Sequence, residues 1–395
     1  MKLPYISLLL AACLAPLGGL HARHTQPRWV PGTRPPREVH WKKIVLDTRF
    51  RSEGVAVADV NRDGKPDILA GDLWYEAPDW KPHAIKHPGD YTPATGYSDC
   101  FACFAADVDG DGWPDEICAG FPGAKITWFR NPRGAGGPWP EYPVTDAATN
   151  ESPLFTDLDR DGKPEVVCPY QGRQMAYYKP GPKPQEGWVR CPVGLPNGKG
   201  SGHGLGVGDV NGDGRLDILC KEGYWVASPD RTPAGWTFVP AALGPDCAQM
   251  YVYDFNGDGL PDVISSSAHN FGVWWYEQKK GASGPEFVQH EIDRSFSQSH
   301  ALVMADIKGD GQPDFVTGKR WWAHGPNGDV NPNDPAVFYW FEFKRQAGQV
   351  VWTKHLIDSN SGVGTQFTVA DVDGDGRLDV VTSNKKGVFL FEQVP

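Results

Sequence analysis

Past its first twenty-odd residues the chain lacks any apolar run near the ~20 residues a membrane-spanning helix needs. That excludes a transmembrane segment downstream of the N-terminus. Basic charge is also short: 38 Lys and Arg stand against 49 Asp and Glu, a formal net charge of −11. No Lys/Arg cluster of the kind that grips phosphates stands out, which excludes nucleic acid as the expected partner. Cysteines number eight. The C-x-x-C pair Cys100–Cys103 has no matching second pair, so a zinc ribbon is not supported.

What is present is a repeat. Seven acidic nonapeptides recur: DVNRDGKPD from Asp59, DVDGDGWPD from Asp107, DLDRDGKPE from Asp157, DVNGDGRLD from Asp209, DFNGDGLPD from Asp254, DIKGDGQPD from Asp306 and DVDGDGRLD from Asp371. Their first residues are 48, 50, 52, 45, 52 and 65 positions apart. A period near fifty means one supersecondary unit used repeatedly. In each unit a small or apolar run enters the loop, an apolar run leaves it, an aromatic run follows and a fourth run ends it. Trp74-Tyr75, Trp274-Trp275-Tyr276 and Tyr339-Trp340-Phe341 are aromatic examples. Four short β-rich runs per unit predict a four-stranded antiparallel sheet. Seven such sheets predict an all-β fold, a seven-bladed β-propeller. The last unit has no fourth run after Phe391, and WKKIVLD at residues 41–47 resembles WTKHLID at 352–358, the fourth run of unit six. The N-terminal run is therefore expected to complete blade seven and close the ring.

The loops have the chemistry of a hard-cation site. Oxygens at positions 1, 3, 5 and 9, with a backbone carbonyl, suit Ca²⁺, and glycine at position 6 permits the turn. An EF-hand would need an acid at position 12. That position holds Ala70, Cys118, Cys168, Cys220, Ser265, Thr317 and Thr382, so the EF-hand reading fails. About six structural Ca²⁺ sites are expected: Asp59, Asn61, Asp63 and Asp67; Asp107, Asp109, Asp111 and Asp115; Asp157, Asp159, Asp161 and Glu165; Asp209, Asn211, Asp213 and Asp217; Asp254, Asn256, Asp258 and Asp262; Asp371, Asp373, Asp375 and Asp379. In unit six Lys308 stands at position 3, and its ammonium is expected where an ion would sit. The acidic balance of the chain then reflects calcium, not a basic partner. These loops resemble the FG-GAP/VCBS repeats of integrin-like propellers, which implies a propeller fold and calcium.

The N-terminus MKLPYISLLLAACLAPLGG reads as a signal peptide over residues 1–22, with a linker over 23–38 and the propeller over 39–395. Alternatively, LAAC resembles a bacterial lipoprotein box, with Cys13 carrying a lipid anchor. Either reading exports the protein to the periplasm, the outer membrane or the extracellular space. Cys118, Cys168 and Cys220 share one position in three successive blades and read as small buried packing residues, not a disulfide set.

If each inner strand runs into its acidic loop, the opposite end of the disc is a mouth around the central channel. Residues expected there include Glu53, Glu151, His203, His269, His300, Tyr170, Lys319, Arg320 and Lys385. A 65-residue spacing in unit six marks an insertion, residues 318–340, that brings Trp321, Trp322 and His324 to the same face. Such a set can take a proton next to a carbonyl and stabilise the anion. Three histidines with a carboxylate can also hold a second divalent metal. The candidate catalytic residues are His203, His269, His300, Tyr170, Lys319, Arg320, His324 and Glu151. The stretches SHALVMADIKGDGQPDFVTGKRWWAHG, SAHNFGVWWYE and SGHGLGVGDVNGDG resemble the propeller domain of aldos-2-ulose dehydratases. That resemblance implies a carbon–oxygen lyase eliminating water or a glycoside from an oxidised sugar, with a divalent metal. It implies no isomerase step, since the additional cupin domains of that family are not in this sequence. The other class of reading is a non-catalytic glycan- or protein-binding adhesion module.

Overall fold

The structure is a computed structural model that describes residues 37–395 except 172, 173 and 283. The expectations for the signal peptide and for Cys13 lie outside the described residues, as does nearly all of the linker. Among the described residues no helix is long and apolar enough to cross a membrane.

Seven four-stranded antiparallel sheets form seven blades. Blade one runs Ala56–Ala58, Asp67–Ala70, Leu73–Glu76 and Lys81–Ala84, each strand bonded to the next. Every acidic loop joins the first strand of its blade to the second, and position 9 opens the second strand, as Asp67, Asp115, Glu165, Asp217, Asp262, Asp314 and Asp379 do. First strands of different blades meet: Ala56–Ala58 lies against Ala102–Ala106 of blade two and Phe367–Ala370 of blade seven. First strands are thus innermost, and the loops share one face of the disc.

Blade seven is completed from the N-terminus. His40–Asp47 pairs antiparallel with Gly387–Val394, with Trp41 opposite Gln393 and Lys43 opposite Phe391. The closure is packed as well as hydrogen bonded. Ile68 and Tyr75 of blade one, Val316 and Trp340 of blade six, and Val380 and Phe391 of blade seven belong to one buried cluster. Burying an aromatic or branched side chain of this size contributes about 1.5–3 kcal/mol. Gln366 locks the seam: its amide oxygen accepts from Val55 N–H at 2.9 Å, and its amide nitrogen donates to Val55 O at 3.0 Å. Gly364 permits that approach, because a Cβ there would sit 2.0 Å from Glu53 O.

The loops keep their shape through their own carboxylates. Position 6 is left-handed in all seven, from Gly64 at φ 90° to Gly376 at φ 80°, and so is position 4, where Arg62 and Arg160 adopt it without being glycine. The position-1 carboxylate caps the turn; Asp59 accepts from the amides of Asp63 and Gly64, both at 3.0 Å. The position-9 carboxylate faces inward. Asp67 accepts from Val60 N–H at 2.9 Å and from Ala77 N–H, just past the third strand, at 2.8 Å. Asp115, Asp217, Asp262 and Asp379 do the same in their blades. Position 9 therefore ties the loop to the third strand, a role its spacing alone did not reveal.

One expectation is corrected. Cys118 is not a free packing residue: it is disulfide-bonded to Cys100, while Cys168 and Cys220 remain free and buried. Equal position in three blades did not mean equal surroundings, because Cys100 occurs only in blade two. In loop six the Lys308 ammonium pairs with Glu342 on the third strand of the same blade.

Candidate active site and acidic loops

The channel mouth opens opposite the acidic loops. His203 precedes Gly206–Gly208 of blade four, His300 lies in Ser299–Ala305 of blade six, and His269 sits between Asp262–Ser266 and Phe271–Lys280 of blade five. Their rings converge. Nε2 of His203 lies 2.9 Å from Nε2 of His269. Ring centroids are 4.4 Å apart for that pair, 5.3 Å for His203 and His300, and 5.4 Å for His269 and His300. Each of the three offers a nitrogen within 4.8 Å of the others, a spacing that fits a single cation.

Beneath them is a buried charge network that crosses the channel. Arg320, from blade six, is 2 % exposed. It reaches Glu53 of blade one at 2.5 Å and Glu151 of blade three at 3.1 Å, and donates to His300 Nε2 at 3.0 Å. Glu151 Oε2 also lies 3.2 Å from His300 Nε2, and Oε1 3.8 Å from His203 Nε2. Burial alone would raise the Glu151 carboxyl. Contacts with His300 and the charge of Arg320 and His203 outweigh it and hold Glu151 well below the usual carboxylate range. Burial pushes Glu53 up, against the pull of Arg320. Burial lowers His203 to about 4, and burial with the nearby guanidinium lowers His300 to about 3. Both rings are neutral at pH 7, and the Nε2 lone pair of His300 is taken by Arg320.

The insertion of blade six folds over this floor. It carries His324 and Asp329, and Nδ1 of His324 lies 2.9 and 3.0 Å from the two Asp329 oxygens. Nδ1 of His269 lies 3.2 Å from Asp329 Oδ1, an ion-pair distance that misses hydrogen-bond geometry. The His324 ring stacks on His269 at 4.8 Å. Lys385 of blade seven anchors the insertion through Trp322 O at 3.0 Å, and its ammonium sits 4.6 Å over the Tyr97 ring. Trp321 and Trp322 stack on each other at 3.8 Å, and Lys386 lies 4.3 Å over Trp321. Their faces are thus partly used within the loop.

The structure brings together His203, His269, His300, His324, Glu151 and Arg320. It places two other candidates elsewhere. Tyr170 lies under the Arg190 guanidinium at 4.1 Å, toward the outer strand of blade three. Lys319 is fully buried and donates to Ser297 Oγ at 2.8 Å, and burial lowers its ammonium to about 8. Lys319 ends the second strand of blade six and Arg320 follows it, and the two bond to different partners. Asp329 and Tyr97 were missed. Neither lies at a repeated position; the only signal for Asp329 was its place in the insertion.

For the acidic loops the test is whether buried oxygens await a cation. In loop three Asp157 Oδ1, Asp159 Oδ1 and Glu165 Oε1 are buried and take no hydrogen bond, although the Lys179 ammonium pairs with Asp161 at 2.8 Å and lies 3.6 Å from that same Glu165 oxygen. All four acids of that loop have an oxygen within 4.8 Å of the others. Asp107, Asp109 and Asp115 converge likewise, as do Asp371, Asp373 and Asp379. These donor sets fit a hard cation. Arg130 reaches Asp109 at 2.6 Å and Asp111 at 2.9 Å, yet Asp109 Oδ1 stays buried and unbonded.

No curated protein matches this chain. Similar solved structures include an Agrocybe aegerita lectin described as recognising non-reducing terminal N-acetylglucosamine, at 16% identity over 86% of this chain and 93% of that one, with a TM-score of 0.47. BBS1N in complex with ARL6DN is 11% identical over 90% of this chain and 97% of that one, with a TM-score of 0.47. YCF48 from Cyanidioschyzon merolae is 12% identical over 89% and 98%, also at 0.47. Likenesses of this strength say nothing about what the present chain binds or does. Residues 89–168 and 254–317 match the family described as FG-GAP-like repeat. The chain carries FG-GAP-like repeats on a seven-bladed β-propeller.

Proposed function

We propose that the mouth is the active site of an exported, calcium-stabilised lyase that eliminates water or a glycoside from an oxidised sugar. The observation that carries this reading is the meeting of His203, His269 and His300 over the Glu151–Arg320 pair. The sequence resemblance to aldos-2-ulose dehydratases supports the substrate class, and rests on the quoted motifs alone.

His203, His269 and His300 are the residues that would hold a divalent ion at the mouth. The chemistry such an ion supplies is Lewis-acid polarisation of a carbonyl oxygen. His324, which is not one of the three ligand histidines, takes the proton from the carbon next to the substrate carbonyl as the general base. The C–H electron pair becomes the new C=C bond and the β C–O bond breaks. The departing oxygen takes its proton from the His324 imidazolium so formed. Glu151 and Arg320 hold the floor in register beneath the imidazoles. Tyr170 and Lys319 take no part. The acidic loops hold Ca²⁺ on the far face, and the leader, as a signal peptide or through Cys13, exports the protein.

The test is to incubate the calcium-loaded protein with 1,5-anhydrofructose and with 3-keto-glycosides and follow enone absorbance. Turnover lost in His203→Ala and His269→Ala is the expected result. Inertness toward a broad panel of oxidised sugars and uronates overturns the reading, and glycan binding without turnover turns it into a binding module.

A further inference from the structure

We infer that Asp329, supplied by the insertion of blade six, is the positioning residue that sets the ring orientation and tautomer of both His324 and His269. This deepens the reading of the mouth as an active site and rests on it.

The geometry is direct. An ionised carboxylate only accepts, so a neutral imidazole nitrogen facing it carries the proton. His324 presents Nδ1 to both oxygens of Asp329, at 2.9 and 3.0 Å. His269 presents its own Nδ1 to the same carboxylate at 3.2 Å. Both rings are thereby left with an Nε2 lone pair. In His269 that lone pair points at His203 Nε2, 2.9 Å away. Two bare lone pairs cannot face each other at that distance, so His203 donates or both turn to a shared cation. Metal-ligating histidines characteristically give their second N–H to a carboxylate, which fixes the ring and raises its basicity. Asp329 does this for His324, the more exposed ring, and faces Nδ1 of His269 at ion-pair distance, off hydrogen-bond alignment.

Asp329 is itself held in place. Its backbone is left-handed at φ 54°, a conformation that the surrounding insertion must maintain. Lys385 ties the start of the insertion to blade seven through Trp322 O. Val330 O, next in the chain, accepts from Ser297 Oγ and Gln298 Nε2, both at 2.9 Å. The extra residues of unit six thus deliver one carboxylate to a histidine in blade five.

The experiment compares the full chain with Asp329→Asn, Asp329→Ala and Asp329→Glu. Long-range ¹H–¹⁵N spectra of histidine-labelled protein read the tautomers without any need for turnover. The parent should show His269 and His324 protonated at Nδ1. Asp329→Asn and Asp329→Ala should move one or both toward Nε2–H, and Asp329→Glu should restore part of the parent pattern. Co²⁺ is the metal probe, and its affinity should fall about 10–100-fold in Asp329→Asn. Unchanged tautomers in both Asp329→Asn and Asp329→Ala overturn the inference, whatever the metal result. If the tautomers move while no oxidised sugar is ever turned over, the positioning role stands and the lyase reading falls.

Discussion

Replacing Arg320 with methionine should cost the ring a measurable share of its stability. The guanidinium is the shared partner of Glu53, 1 % exposed, and Glu151, 6 % exposed, so neither acid can turn to water when it is removed. Breaking a buried pair by removing one partner costs about 3–5 kcal/mol. Unfolding entropy near 2.1 cal/mol/K per residue over roughly 360 residues gives about 0.75 kcal/mol per degree. The melting temperature of Arg320→Met should therefore drop by about 4–7 °C. The deficit must also depend on pH in a set direction. Burial already raises Glu53, and loss of the guanidinium raises it further. A folded-state pKa above the unfolded value means the folded form binds the proton more tightly. The deficit is then largest above the folded pKa and shrinks as pH falls toward the ordinary carboxylate range. Adding Glu53→Gln to the variant should recover part of the loss at pH 7. Calorimetry at pH 5 and pH 7, with equilibrium denaturation in parallel, reads both effects. A melt within one degree of the parent at pH 7, or a deficit that grows on acidification, refutes the account of Arg320 as the pin of the channel.

Calcium removal bears on the other face of the disc. If the proposed ions bind only the folded ring, EDTA lowers the melting temperature, and each site at a hundredfold excess over its Kd contributes about 2.7 kcal/mol; an unchanged melt sinks the calcium proposal. Asp159→Asn should cost one ion in native mass spectrometry, because Asp159 Oδ1 is one of the buried oxygens in loop three that take no hydrogen bond. Lys319 is lowered to about 8 by burial, below its unfolded value near 10.4, so the unfolded chain binds the extra proton between those limits and stability should rise with pH across them. Lys319→Met should flatten that rise without lowering stability at pH 7, and a rise of unchanged size assigns it to other groups. Cys100 and Cys118 close an 18-residue separation, for which the chain-entropy account gives about 3 kcal/mol, so Cys118→Ala should destabilise by that order. Urea denaturation checks it, and a loss under 1 kcal/mol would deny the bond that role.

The ring was legible because its signal was repeated. Seven copies of one loop fixed the number of blades, and the likeness of residues 41–47 to 352–358 located the closing strand. The mouth was most legible where a repeated register carried a residue inward. Glu53, Glu151, His203 and His300 stand six residues before their loops, and the coordinates bring all four to the axis. Turns between second and third strands were less dependable. At those turns Asp72, Lys125 and Lys221 pair with Lys86, Glu141 and Asp246. Tyr170 turns under Arg190, and Lys319 and its neighbour Arg320 bond to different partners, because a turn can send its side chains to either side. Asp329 and Tyr97 lie in irregular segments with no repeat to place them. The Cys100–Cys118 bond joins two positions that no spacing rule pairs.

The same geometry explains why the mouth is built around an arginine. Seven inner strands meeting at an axis leave a hole, and their small residues near it, such as Gly204, Gly206 and Ala301, permit close approach without filling it. An apolar plug would close the hole but leave Glu53 and Glu151 buried without partners. Arg320 is long enough to cross from blade six to blades one and three, and its planar fork satisfies both acids while still donating to His300. Phe101, whose ring lies 5.2 Å beneath the guanidinium, keeps that charge in place. Support and site are therefore one object. Any change that loosens Arg320 also frees Glu151 and His300, so stability and chemistry at the mouth should fail together. A change at the acidic loops acts on the far face and should weaken the ring while leaving the imidazole geometry intact.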